Sequence, residues 1–278
     1  MKLGYNTNGL SFHPLDQALD LIAEEGYEAV GLTLDHHCLN PFDADLPRQI
    51  ERTKAQLEKL GLAVVIETGA RFLLNPRVKH DPTLLSPTPE EREVRLDFLK
   101  RATDVAVALD AEAISLWSGA LLGDLSADVA MLRLADGCRA IADYAGERGM
   151  KLAFEPEPGM FIDTFDRFGE LRDQVKAPNF GLTVDLGHVH CIELGPIPEY
   201  LREWRDLIWN VHIEDMNKGV HDHLMFGEGE MDFPPILRTL EEIGYRGCVN
   251  VELSRHAHMA PEALRQSYAF LKPLMSEG

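Results

Sequence analysis

Short apolar or β-branched runs alternate with longer amphipathic stretches from one end of the chain to the other. The short runs are Lys2 to Asn6, Ala29 to Leu34, Ala63 to Glu67, Ala113 to Trp117, Lys151 to Glu155, Gly181 to Asp185, Ile208 to Ile213 and Cys248 to Leu253, and they have the length and residue types of strands. Helical spacing of apolar positions follows each one, roughly over Pro14 to Glu25, Asp45 to Leu60, Thr88 to Leu109, Ser126 to Arg148, Thr164 to Val175, Pro196 to Trp204, Phe233 to Ile243 and Pro261 to Met275. Eight strands each followed by a helix, with no linker or composition break, predict a parallel sheet of βα units. The chain of 278 residues is slightly above the roughly 250 typical of a closed eight-stranded barrel. The expected fold is therefore α/β, a single-domain (β/α)8 or TIM barrel over residues 1 to 278. No G-x-G-x-x-G turn follows the first strand, which argues against an open dinucleotide-binding sheet.

Two strand-to-helix connections are longer than the usual span of about 2 to 6 residues. Thr68 to Ser86 carries Arg71, Arg77, Lys79 and His80; Glu214 to Asp232 carries His221, Asp222, His223 and Gly227-Glu228-Gly229. In such a barrel both lie on the C-terminal face, where active sites are built, so both are expected to roof one cavity. The basic residues of the first loop predict an anionic or strongly polar substrate, or else they balance surface carboxylates.

Alternate residues of a strand share a face, so inward positions can be read by parity. Ala153 and Glu155 match in the fifth strand, Thr183 and Asp185 in the sixth, Asn210 and His212 in the seventh, and Cys248, Asn250 and Glu252 in the eighth. Four consecutive strands thus each end on one ionisable group, and neighbouring strands are under about 5 Å apart. Three carboxylates this close cannot all stay ionised in a partly dry pocket without a compensating positive charge. A single divalent cation held by Glu155, Asp185, His212 and Glu252 supplies it. Oxygen-rich ligation with one imidazole suits Mn²⁺, Mg²⁺ or Co²⁺ and admits Zn²⁺.

Composition narrows the partners. The chain has 45% hydrophobic and 26% charged residues, and a formal net charge of −19 disfavours generic binding to nucleic acid or to an anionic membrane. No apolar run approaches the roughly 20 residues of a membrane span. The start, Met1-Lys2-Leu3-Gly4-Tyr5-Asn6, enters a strand pattern without a signal-peptide profile. Cys38, Cys138, Cys191 and Cys248 are far apart and form no C-x-x-C pair, so reduced thiols in a cytoplasmic protein are expected. A homo-oligomer is left open.

These residues resemble a known family, the xylose-isomerase-like sugar (phosphate) isomerases and epimerases. Phe154-Glu155, Asp185-Leu186-Gly187-His188, Val211-His212-Ile213, Gly227-Glu228-Gly229 and Gly244-Tyr245-Arg246-Gly247 leading to Val251-Glu252 carry the resemblance, which covers nearly the whole chain in strand order. It implies metal ligation by Glu155, Asp185, His212 and Glu252, proton transfer by Glu155 and Glu252, and substrate binding by His188. Many members have a histidine two residues after the first glutamate, where this chain has Glu157. His188, His221 and His223 also match the spacing that supplies a further zinc in endonuclease IV, a DNA-repair enzyme of the same fold, with His221 in place of an aspartate. The histidines that enzyme uses on its third and fourth strands are absent here. The trio is therefore expected either to hold a second metal or to contact substrate hydroxyls or phosphate.

Arg71 and Trp117 are further candidate substrate contacts, Trp117 as a sugar-stacking wall or as ordinary rim packing. Arg255 faces either substrate or a helix carboxylate, and His256 and His258 read as rim residues. The reading this supports is a metal-dependent sugar or polyol isomerase or epimerase that moves a proton next to a carbonyl through an enediolate. Glu157 stands where a xylose-isomerase-style hydride shift would want a lysine, which favours proton transfer. The alternatives are a lyase of inosose-dehydratase type, a metal-dependent phosphodiesterase, and a binding protein that has lost activity.

Overall fold

A computed structural model describes residues 1 to 275; the last three residues of the expected 1 to 278 domain lie outside it. Eight parallel strands close into a barrel: β1 (Lys2–Asn6), β2 (Ala29–Thr33), β3 (Ala63–Glu67), β4 (Ile114–Leu116), β5 (Leu152–Phe154), β6 (Phe180–Asp185), β7 (Ile208–Ile213) and β10 (Cys248–Val251). Their order around the ring is β1, β10, β7, β6, β5, β4, β3, β2. The outer helices are α1 (Leu15–Glu24), α2 (Leu46–Leu60), α3 (Pro89–Ala108), α4 (Ala127–Gly146), α5 (Phe165–Val175), α7 (Ile197–Glu203), α8 (Phe233–Glu242) and α9 (Ala260–Leu271). Among the described residues no helix is long and apolar enough to cross a membrane.

Local chemistry starts several helices where the sequence places them. Thr88 and Glu91 form a reciprocal capping box on α3, and the Ser126 and Thr164 side chains accept the backbone N–H of Val129 and Arg167 on α4 and α5. The core divides in two. Outward strand residues pack under the helices, while inside the barrel Ala29, Val65 and Cys248 form a small separate apolar plug. Above that plug the lumen turns polar, with Asn210, Asn250, Thr183 and Ser115 buried and joined by side-chain hydrogen bonds.

Two elements differ from the expected pattern. A short helix, α6 (Leu186–Ile192), begins at the end of β6 ahead of α7, because the Asp185 carboxylate caps it by accepting the His188 N–H at 2.8 Å. The long connection after β7 is not open loop but contains an antiparallel hairpin, β8 (Asp215–Asn217) with β9 (Val220–Leu224). The buried Asp215 carboxylate anchors that excursion by accepting the N–H groups of Met216, Gly227, Gly229 and Met231.

Phe154 joins sheet to helix beneath the site, packing on Phe168 and Phe180 with ring centroids 6.0 and 5.7 Å away. It is fully buried, so Phe154→Ala is expected to cost about 3 to 5 kcal/mol in urea unfolding. A cost near zero would show that this side of the barrel does not depend on the aromatic cluster.

Candidate metal and active site

The polar layer culminates at His212. Its Nδ1 lies 2.9 Å from Glu252 Oε2, 3.2 Å from Glu155 Oε1 and 3.9 Å from Asp185 Oδ2. Asp185 and Asn250 both pair with His212 in the ladder, which sets the three strands level. Glu155 and Glu252 each follow the last regular residue of their strand, yet the ladder continues through them: Glu155 N–H donates to the Leu116 carbonyl at 2.8 Å and Glu252 N–H to Ile213 at 3.2 Å. Inward parity therefore persists to both glutamates.

Donor atoms from these four residues lie within 4.8 Å of one another. Two bonds of roughly 2.0 to 2.2 Å through a central ion span about 4.4 Å, so side-chain shifts of roughly a few tenths of an ångström bring all four onto one ion. Electrostatics points the same way. Burial pushes the Glu155 carboxyl well above its usual range. Burial raises Glu252 as well, but the His212 charge outweighs it and holds that carboxyl low. His212 is raised despite its burial, chiefly by Glu67, Glu155 and Glu252. Asp185 Oδ2 is buried without a hydrogen-bond partner, a costly state for a carboxylate oxygen unless a cation faces it. Three carboxylates and one imidazole thus fit a divalent ion.

Parity also applies to residues that the sequence reading passed over. Glu67, the last residue of β3, is buried with Oε1 2.9 Å from His212 Nε2 and 3.1 Å from Asn210 Nδ2. Glu214, just after β7, is buried with neither oxygen within hydrogen-bonding geometry of a donor among the described residues, and joins Asp185 and His223 in a second set of converging groups. Gly187 makes room for it, since a Cβ there would sit 1.9 Å from Glu214 Oε1. Asn8, from the connection after β1, donates to Glu252 Oε1 at 2.7 Å.

The three histidines meet. His188 Nε2 is 3.0 Å from His221 Nε2, which is 3.3 Å from His223 Nε2. His223 Nδ1 donates to the Glu252 carbonyl at 3.1 Å, which leaves its Nε2 lone pair facing the other two rings. The trio adjoins the first group, with His188 Nδ1 3.6 Å from Glu155 Oε1 and Nε2 3.6 Å from Asp185 Oδ2. Burial pushes His188 down to about 3, so its imidazole is neutral.

Glu155, His212, Glu252 and the three histidines open into one cavity of about 190 Å³, whose walls include Arg71, Lys79, His80, Trp117, Glu157 and Arg255. Burial, with Glu252 and Asp185 nearby, raises Glu157 to about 8. The Arg71 charge is engaged by Asp35 at 2.5 Å and Arg255 by Asp222, whereas Lys79 makes no ion pair among the described residues. Trp117 forms a wall backed by the Arg95 guanidinium 4.9 Å beneath it, with His80 on its edge at 5.2 Å. Arg77, His256 and His258 lie outside the lining; the two histidines stack on each other at 6.4 Å.

A family model described as xylose isomerase-like TIM barrel matches residues 19–274. The chain belongs to this family. Fructoselysine 3-epimerase of Escherichia coli O157:H7 is 26% identical over 260 residues, covering 91% of this chain and 90% of the relative. Inosose dehydratase of Lacticaseibacillus casei is 28% identical over 137 residues, 43% of this chain and 46% of the relative. The solved structure of D-allulose 3-epimerase from a Methylomonas species superposes with a TM-score of 0.79 at 20% identity, covering 99% of this chain and 98% of that one. That of the IOLI protein with a bound zinc atom does so at 0.78 and 19%, covering 100% and 99%.

Equilibrium dialysis against Mn²⁺, Co²⁺ and Zn²⁺ is expected to load at least one equivalent, and Asp185→Asn to weaken uptake at least tenfold by removing an anionic ligand. No uptake of any of the three ions would count decisively against a metal site. A second equivalent that is lost in His221→Ala, with the first retained, would assign the histidine trio to metal rather than to substrate.

Proposed function

We propose that this protein is a divalent-metal-dependent isomerase or epimerase of sugars or polyols that moves a proton on a carbon next to a carbonyl. The observation that carries the reading is the convergence of Glu155, Asp185, His212 and Glu252 at the C-terminal mouth of the barrel, on the floor of a polar cavity of sugar-like dimensions. Similarity to a fructoselysine epimerase over nine-tenths of the chain supports it. A divalent ion held by the four residues would draw electron density from a substrate carbonyl and its neighbouring hydroxyl, making the C–H between them acidic. The relative solved with zinc supports a metal of this kind, with Mn²⁺, Mg²⁺ and Co²⁺ compatible with the same donor set.

The remaining work falls to the side chains. Glu155 and Glu252 flank His212 from different strands, each with one oxygen toward it, Oε1 of Glu155 and Oε2 of Glu252, while the second oxygen of Glu252 accepts from Asn8 and keeps a lone pair for a proton. One removes the proton and the other returns it: delivery to the opposite face of the planar enediolate gives epimerisation, and delivery to the adjacent carbon gives isomerisation. Asn8 orients the Glu252 carboxylate, and the neutral His188 with His221 and His223 is placed to take substrate hydroxyls. The free ammonium of Lys79 favours a substrate with an anionic or strongly polar far end.

The half-chain similarity to an inosose dehydratase favours one second reading, in which the same proton removal is followed by loss of a β-hydroxyl as water. Screening the metal-loaded protein on ketoses, inososes and their phosphates, with product analysis, separates the two.

Glu155→Gln and Glu252→Gln are each expected to lower turnover roughly 10² to 10⁴-fold. In D₂O, deuterium is expected to enter the product carbon. Absence of label over many turnovers, or near-normal activity in either variant, would sink the assignment. Lys79→Ala is expected to raise KM for the preferred substrate severalfold with little change in kcat; an unchanged KM would retire the anionic-end reading.

A further inference from the structure

We infer that Glu67 is a positioning residue for the metal ligand His212, holding its imidazole in the one tautomer that leaves Nδ1 free to bind. This rests on the metal reading of the site. The strands β3 and β7 stand diametrically opposite in the ring, with three strands between them in either direction. Glu67 therefore meets His212 only by reaching across the lumen, and its Oε1 arrives 2.9 Å from Nε2, on the edge of the ring away from Glu155, Asp185 and Glu252.

The surroundings fix that carboxylate as an acceptor. Asn210, two residues before His212 on the same inward face, donates its Nδ2 to the same Oε1 at 3.1 Å, while its own Oδ1 accepts from Asn250 Nδ2 at 3.2 Å. The amide orientation of Asn210 is thereby set, and Asn210 and His212 grip one oxygen together. A neutral imidazole carries one proton, and which nitrogen holds it follows from the partner of the other. With hydrogen on Nε2, the ring donates to Glu67 and presents the Nδ1 lone pair to the three carboxylate ligands. Hydrogen on Nδ1 would block the ligand position and leave the Nε2 lone pair facing the Glu67 oxygen at 2.9 Å, with only the Asn210 amide, 3.1 Å away and already donating to that oxygen, to offset the repulsion. A carboxylate behind a metal-bound imidazole typically contributes roughly 10- to 100-fold in metal affinity.

The test compares wild type, Glu67→Gln and Glu67→Asp. Glutamine keeps the reach and an acceptor oxygen without the charge; aspartate keeps the charge but withdraws it by one methylene, about 1.5 Å, beyond hydrogen-bond reach. The Co²⁺ dissociation constant is measured by competition with a chromophoric chelator, thermal midpoints of the metal-free proteins report the fold, and long-range ¹H–¹⁵N NMR of the Zn²⁺-loaded proteins reads the His212 tautomer. Glu67→Asp is expected to bind Co²⁺ roughly 10- to 100-fold more weakly, Glu67→Gln to stay closer to wild type, and wild type to show hydrogen on Nε2. Glu67→Asp binding as tightly as wild type, Glu67→Gln falling as far as Glu67→Asp, or a wild-type ring with hydrogen on Nδ1 overturns the inference while leaving the metal site standing. Wild type that takes up no Co²⁺ overturns the metal reading, and this inference with it.

Discussion

Like charge gathered in a closed space is the constraint on which this site is built. Glu67, Glu155, Asp185 and Glu252 all direct carboxylates at the ring of His212, each from a different strand, and all but the partly exposed Glu252 are buried. Only the imidazole can carry a balancing positive charge among them. A barrel lumen offers no route by which these groups can move apart, because each is fixed by the ladder of its own strand. The consequences are visible in opposite directions: Glu155 is driven to hold its proton, Glu252 is kept ionised by His212, and Asp185 is left with a buried oxygen that makes no hydrogen bond among the described residues. Such an arrangement works against folding unless a cation completes it, and proteins retain groups of this kind where function needs them.

Asp185 ties this electrostatic problem to the backbone. One oxygen caps α6 and the other is buried beside His212, so the start of a helix and the placement of a candidate ligand are one event. That same helix carries His188 back over the site, and Gly187 beside it leaves the space that Glu214 occupies. The hairpin anchored on Asp215 then brings His221 and His223 against His188. The second wall of the cavity thus follows from hydrogen bonds that start at two adjacent strand ends.

Much of this was legible from residue order. The period-two pattern of the strands and the helical spacing between them give the barrel, and inward parity at Glu155, Asp185, His212 and Glu252 gives the converging group. The same rule, applied to Ala63–Glu67, places Glu67 inward. Its role is not legible from that rule alone, because its partner lies across the ring, where no local pattern reports it. The hairpin was hidden for a different reason. Its strands, Asp-Met-Asn and Val-His-Asp-His-Leu, bury no regular apolar face, and the contacts that stabilise it are backbone N–H groups converging on Asp215 from up to sixteen residues away. For Arg71 both a substrate contact and a balancing carboxylate are legible, but not Asp35 as the partner, since an ion pair between loops after different strands leaves no trace in spacing.

The family contains proteins that epimerise and proteins that dehydrate, so the fold alone does not choose a reaction. What distinguishes members must lie where the cavity meets the substrate beyond the reacting carbons. Here that surface joins the Lys79 ammonium, a carboxyl at Glu157 poised near neutrality, and an indole at Trp117 backed by the buried guanidinium of Arg95. A flat apolar face with a donor and an acceptor beside it matches a polyhydroxylated ring or chain, whose C–H faces stack while its hydroxyls bridge polar groups of either sign. A simple apolar ligand would leave the polar Glu157 carboxyl facing it without a partner, and covering an unpartnered polar group is costly. On the proposed function, the walls and the charged floor therefore ask for the same class of molecule for independent reasons: one would be satisfied by dense hydroxyl groups, the other by a carbonyl beside a hydroxyl at the candidate ligand centre.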